Sequence, residues 1–202
     1  MELIMLPLLG LCAYFLGSVS SAVLLSQYAN LPDPRQSGSN NPGATNMLRV
    51  SGFKYGLCTL IGDTAKAVIP VVIARLVGLD ALDQVLIGFL AFLGHVFPVY
   101  YHFKGGKGIA TGFGCVCAFS PLLGVTLFSL WLVVYALTRY VALASLVAFS
   151  LLPVMAMISC SLSVSVVFLL MAAVVFGAHI GNIKRLINGV EQRTYIFSRQ
   201  TS

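Results

Sequence analysis

The sequence predicts an all-α integral membrane protein of seven transmembrane helices, with its N-terminus outside and its C-terminus cytoplasmic. Three observations carry that prediction. Hydrophobic residues make up 58% of the 202 positions and charged residues only 9%, where a soluble domain carries about 25% charged residues. Mean hydropathy is +0.95, more apolar surface than a soluble fold of this size can bury. The apolar runs are close to the length that crosses a bilayer, and the basic residues between them fall mostly on one side.

The runs cover 3–29, 55–78, 84–103, 109–137, 141–158 and 161–179. The first is too long for the core of a signal peptide and has no basic segment before it, so it reads as a retained span. The fourth is either one long kinked helix or two short spans, because Ser120-Pro121 lies in its middle. Proline disfavours helix in the residue before it and is favoured at helix starts. Charge decides between the two. With seven spans, Arg35, Arg49, Lys54, Lys104, Lys107, Arg139, Lys184, Arg185, Arg193 and Arg199 share the cytoplasmic side, and Asp80 and Asp83 lie opposite beside Arg75. With six, the basic C-terminal tail and the basic first loop would lie on opposite sides. The span beginning at 109 is then short, so it tilts little or its leading loop dips toward the membrane. The whole chain, 1–202, reads as a single polytopic domain.

Net charge is +6, but the cations sit in short loops between spans. Anionic headgroups or a phosphorylated small molecule are the partners this suggests, and nucleic acid is not. The five cysteines fall within or beside apolar runs and show no metal-ligand spacing. They read as small hydrophobes, with no metal or cofactor implied.

Three cytoplasmic segments carry the chemistry. Residues 37–49, SGSNNPGATNMLR, are dense in hydroxyl and amide side chains and end in a cation, a combination that can hold an anion or simply make a turn-rich linker. Residues 103–111, FKGGKGIAT, place three glycines and two lysines at the start of a helix. Bare amides and a helix N-terminus there can face an anion. The Walker A pattern is not met, so nucleotide hydrolysis is a poor reading. Residues 179–191, HIGNIKRLINGVE, open at the inner end of the last span, and His179, Asn182 and Arg185 share one face if that helix continues. Within the second span Asp63 and Lys66 read as an intrahelical pair, and in the third span His95 and Pro98 read as packing and kink residues.

Together these segments resemble the bacterial acyl-phosphate:glycerol-3-phosphate acyltransferase family, the PlsY family. SGSNNPGATNMLR, GGKGIAT and NIKRLINGVE stand for its three motifs in order, and LPDPR and the Asp63–Lys66 pair fit the same pattern. The resemblance covers essentially the whole chain. It implies a seven-helix enzyme of the bacterial cytoplasmic (inner) membrane that transfers a fatty acyl group from acyl phosphate to glycerol 3-phosphate at the cytoplasmic face. The implied products are 1-acyl-glycerol 3-phosphate and inorganic phosphate, the first acylation in phospholipid biosynthesis. No cofactor or metal is implied. Two departures stand out: Asn40 occupies a position where the family commonly has glycine, and residues 139–142 lack a serine found in relatives. Asn tolerates left-handed backbone, so the turn at Asn40 is expected to survive.

The expected site follows. His179 and Asn182 orient the glycerol hydroxyl. Ser39, Asn41, Thr45, Asn46, Arg49, Lys104, Lys107, Arg185 and Glu191 bind substrate, and the amides of Gly105, Gly106 and Gly108 cradle a phosphate. Helix walls rich in Leu, Val and Phe hold the acyl tail. No serine or cysteine nucleophile is needed, because an acyl phosphate is already activated and proximity can do the rest. Two rivals are weighed against this: a transporter for a phosphorylated solute, for which inverted repeats are not visible, and an anchoring subunit, which leaves the polar loops unexplained.

Overall fold

A computed structural model describes residues 2–194, which fold into ten α-helices joined by short loops. Arg199, assigned above to the cytoplasmic tail, lies outside the described residues. Helices α4 (Phe53–Leu76), α5 (Ala81–Val96, continued by a 3-10 turn to Tyr101), α7 (Pro121–Thr138) and α8 (Val141–Ser159) are each long and apolar enough to cross a membrane. Two bent pairs, α1 (Glu2–Ser18) with α2 (Ser21–Tyr28) and α9 (Leu162–Ala178) with α10 (Ile180–Ile187), raise the number of candidate spans to as many as 6. Helix α6 (Ile109–Phe119) is apolar but only 11 residues long.

Each break has a local cause. Between α1 and α2 the axis turns by 46°, and the Ser20 hydroxyl accepts from the Val23 amide to start the second helix. The run 109–137 divides at Ser120-Pro121, as the two-helix reading expects. Ser120 accepts from the Leu123 amide, and Pro121 takes the first helical position, where its missing N–H costs nothing. At the same end, the Arg75 guanidinium donates to the Phe119 carbonyl and so satisfies the C-terminus of the short α6. The third break, 62° at His179, departs from the sequence reading. His179 ends α9 instead of continuing into α10, so it does not share a helical face with Asn182 and Arg185.

The segment around the first motif is not all loop. It contains α3 (Ala44–Ser51), which turns at Gly52 (φ +89°) into α4 and packs Leu48 against Gly56. Small residues also allow α1 to lie directly on α5. A Cβ at Gly17 would stand 2.1 Å from the Ala91 carbonyl oxygen, and one at Gly94 would stand 2.2 Å from that of Tyr14. This close approach is how helices associate where no hydrophobic gain separates protein from lipid. The buried core runs through Val71, Phe92, Cys115, Phe149, Phe168 and Met171. Leu122, Leu137 and Ile158 point outward and form part of an apolar belt.

Candidate active site

Loops and helix ends build a cavity of about 820 Å³ at one end of the bundle, within the size range of small-molecule sites. Its polar rim comes from three places. Helix α3 and the loop before it supply Ser39, Asn41, Thr45 and Arg49, the loop into α6 supplies Lys107 and Gly108, and the α9–α10 break, α10 and the segment after it supply His179, Asn182, Arg185 and Glu191. Its apolar wall comes from α4, α6 and α7 through Leu57, Leu60, Phe113, Phe128, Trp131 and Leu132. The three motifs, 130 and more residues apart at their extremes, therefore meet at one surface.

A chain of short hydrogen bonds joins the second and third motifs. The Lys107 ammonium donates to Asn182 Oδ1 at 2.5 Å, Asn182 Nδ2 donates to Glu191 Oε1 at 2.6 Å, and Arg185 Nε donates to Glu191 Oε2 at 2.7 Å. Glu191 thus holds both Asn182 and Arg185. Burial pushes the Lys107 ammonium down to about 8; Glu191 raises it, while Arg185 and Arg49 lower it further. A dianion arriving in this cavity would restore the cation. His179 is buried, and its Nδ1 lies 2.8 Å from the Val175 carbonyl. A carbonyl only accepts, so Nδ1 carries the proton and Nε2 of the neutral ring keeps its lone pair. Arg49, exposed in the last turn of α3, makes no hydrogen bond or ion pair with another side chain among the described residues.

Several expected residues take other places. Lys104, Gly105 and Gly106 lie outside the large cavity and line a narrow crevice beside it, with Arg35 and Lys66. The amides of Gly105 and Gly106 are not bare, because they donate to the carbonyls of Val96 and His95 at 3.2 and 3.1 Å. The glycines are there for contact. A Cβ at 106 would stand 2.1 Å from His95 Nε2, and one at Gly108 (φ +78°) 2.1 Å from the Phe92 ring. Asn46 lines the cavity, but its amide is spent on the loop. Oδ1 accepts from the Ser39 amide at 2.9 Å, and Nδ2 donates to the carbonyls of Pro34 and Ser37. It therefore shapes the turn that presents Ser39. Asn40 adopts φ +57°, the left-handed turn expected where relatives carry glycine.

Other wall residues were not expected at the site. Asp63 and His95, read from the sequence as a pairing and a packing residue, reach the cavity, and the signal was ionisable side chains inside spans. The sole tryptophan, Trp131, stacks between Phe128 and Tyr135 and donates from Nε1 to Ser145 Oγ at 3.1 Å. Around the missing serine, Val141 and Ala142 give the cavity an apolar edge. Beyond α10, the strand of chain to Thr194 crosses to the α7–α8 turn. Thr194 donates to the Arg139 carbonyl at 3.0 Å and its carbonyl accepts from Tyr135 at 2.7 Å.

A bundle of apolar helices around a cavity with a cationic rim and an aromatic wall defines an integral membrane protein suited to an amphiphile with an anionic head. Comparison with known proteins narrows that class. A family model described as glycerol-3-phosphate acyltransferase matches residues 7–189. Proteins of that name from Methylococcus capsulatus and Thioalkalivibrio sulfidiphilus are 45% and 41% identical over 184 and 186 residues. These alignments cover 90% and 92% of this chain and 92% of each relative. The crystal structure of PlsY (YgiH), an integral membrane glycerol 3-phosphate acyltransferase, in its glycerol 3-phosphate form superposes with a TM-score of 0.89 at 35% identity, covering 95% of this chain and 96% of that one. The lysophosphatidic acid form of PlsY gives 0.87 at 34%, with the same coverage. The chain belongs to the glycerol-3-phosphate acyltransferase family, the PlsY family of membrane acyltransferases.

Proposed function

We propose that this chain transfers a fatty acyl group from acyl phosphate to the 1-hydroxyl of glycerol 3-phosphate, releasing 1-acyl-glycerol 3-phosphate and inorganic phosphate. The reaction takes place at the cytoplasmic face of the bacterial cytoplasmic membrane, in a single polytopic domain. Seven spans, the short α6 among them, leave the N-terminus outside and the C-terminus inside. The observation that carries this reading is the cavity itself, where Lys107, Arg49, His179, Asn182 and Arg185 line the same space as Phe113, Phe128 and Trp131. One substrate is a soluble dianion and the other a lipid with a phosphate head, and both ends of that chemistry are present.

In this mechanism Lys107, Arg49 and Ser39 hold phosphate oxygens by charge-assisted and neutral hydrogen bonds. The N-terminal turn of α6, with Gly108, Ile109 and Ala110 on the cavity, adds its dipole. Asn182, already oriented by Lys107 and Glu191, and His179 set the glycerol hydroxyl against the acyl carbonyl. The hydroxyl oxygen bonds to the carbonyl carbon, the carbon–oxygen bond to phosphate breaks, and phosphate leaves with the electron pair. The proton passes to His179 Nε2 or to an oxygen of the departing phosphate. No covalent acyl-enzyme forms, and catalysis consists of positioning and of stabilising charge on the leaving group.

Inorganic phosphate release by the detergent-purified chain tests this, with palmitoyl phosphate and glycerol 3-phosphate supplied singly and together. Release that needs both substrates is expected. Folded protein that releases none, or that hydrolyses acyl phosphate without the acceptor, overturns the transferase assignment.

A further inference from the structure

Beneath the Gly105–Lys107 loop lie three ionisable side chains that the mechanism does not use. Asp63, Lys66 and His95 are 1%, 5% and 7% exposed. Burying ionisable groups inside membrane helices is costly. They are joined to each other and to the loop above. The Lys66 ammonium donates to the Val19 carbonyl at 3.0 Å, in the break between α1 and α2. It also stands 3.1 Å from Asp63 Oδ1, which in turn stands 3.7 Å from His95 Nδ1. The other edge of the His95 ring lies against Gly106, where no Cβ would fit, and the His95 carbonyl accepts the Gly106 amide at 3.1 Å. The next residue is Lys107, whose ammonium meets Asn182.

We propose that Asp63, Lys66 and His95 are positioning residues that set the depth of Lys107 in the cavity. The proposal rests on the functional reading above. The α1–α2 break fixes Lys66, Lys66 lies against the Asp63 carboxylate, and that carboxylate faces Nδ1 of the His95 ring across 3.7 Å. That ring is the floor on which the loop rests. Asp63 and His95 also face the large cavity, while Arg35 and Lys104 line the crevice on the other side of the cluster. The cluster is therefore the wall between the two spaces, and the loop closes its top. A residue placed on such a floor shifts when the floor shifts. Misplacement by about 1 Å, even from a change away from the chemistry, can lower a rate by about 100-fold.

The test uses the full chain and initial rates with palmitoyl phosphate while glycerol 3-phosphate and pH are varied. His95→Phe keeps a ring but loses Nδ1, Gly106→Ala lifts the loop without touching any charge, and Asp63→Asn is isosteric. Each is expected to lower kcat/KM for glycerol 3-phosphate by about 10- to 100-fold. Each should also move the alkaline limb of its pH profile upward from about 8, because a displaced Lys107 regains solvent. Folded variants with the wild-type kcat/KM and an unmoved limb overturn the proposal. So does a loss of rate that only tracks loss of folded protein, with the limb unmoved. If His95→Phe does not accumulate, Gly106→Ala and Asp63→Asn decide. Wild-type protein with no transfer overturns the functional reading instead.

Discussion

Two polar clusters lie within one bundle and are built on opposite terms. Lys107, Asn182, Glu191 and Arg185 come from loops and from the two-turn α10, and their hydrogen bonds run from 2.5 to 2.7 Å. Asp63, Lys66 and His95 come from the spans α4 and α5, and their mutual contacts are 3.1 and 3.7 Å. Lys107, Asn182 and Arg185 can each turn a donor from its present partner to a phosphate oxygen when substrate arrives, while Glu191, an acceptor only, orients Asn182 and Arg185. The second is buried between α4, α5 and the Gly105–Lys107 loop, and among the described residues Lys66 is held by Asp63 and the Val19 carbonyl. Polar groups supplied by helix ends are available for chemistry, whereas polar groups supplied by spans are committed to holding those ends in place.

Removing one member from each cluster should separate the two roles. Lys66→Met leaves Asp63 as a buried charge without its cation, which is expected to cost about 3–5 kcal/mol of stability. A thermal melt in detergent that matches wild type would contradict the commitment of that cluster to the fold. Lys107→Ala should leave the melt nearly unchanged and lower kcat/KM for glycerol 3-phosphate by about 100- to 1000-fold, as for other groups that stabilise developing charge. Asn182→Ala comes next. It leaves Lys107 and Glu191 each short of a partner, and about 1–3 kcal/mol should appear as lost kcat/KM. Trp131→Phe, which removes the bond to Ser145 Oγ and part of the ring stacked between Phe128 and Tyr135, should cost about 1–2 kcal/mol of stability and little rate.

The pH dependence sharpens the contrast. Lys107 must be cationic to hold phosphate, and burial places its deprotonation in the free protein at about 8. Rising pH removes the charge, so kcat/KM should be level below that value and fall above it. Lys107→Arg, whose charge persists across the accessible range, should flatten the limb even if it lowers the plateau. A limb that stays in place in Lys107→Arg would assign the titration to another group.

The sequence set out the helices well because the bilayer leaves few choices. A run of apolar residues must be helical when no water is present to satisfy its backbone, and Ser120-Pro121 marks a helix boundary by local stereochemistry alone. The break at His179 had no such mark. No proline or glycine follows it directly, yet the axis turns there by 62°. Lysines and glycines in 103–108 were read as donors, but which amides remain free depends on what lies beneath them. There His95 and Val96 take the amides of Gly106 and Gly105.

Composition and order alone determined that this chain is a helical membrane protein, that its cations gather in a few segments, and that those segments match one acyltransferase family. The first two follow from short-range rules, hydropathy and helix boundaries, and the third is a resemblance carried by the three motifs in order. Only the tertiary structure decided that Asn46 builds the turn that presents Ser39, that Glu191 clamps Asn182 and Arg185, and that Asp63 and His95 stand under the Lys107 loop. Some of these contacts span only 6 to 9 positions, but Asp63 and His95 come from different helices, and Lys107 meets Asn182 75 positions away. Packing in three dimensions fixes them, because one side chain cannot serve both a neighbouring backbone and a ligand with the same atoms.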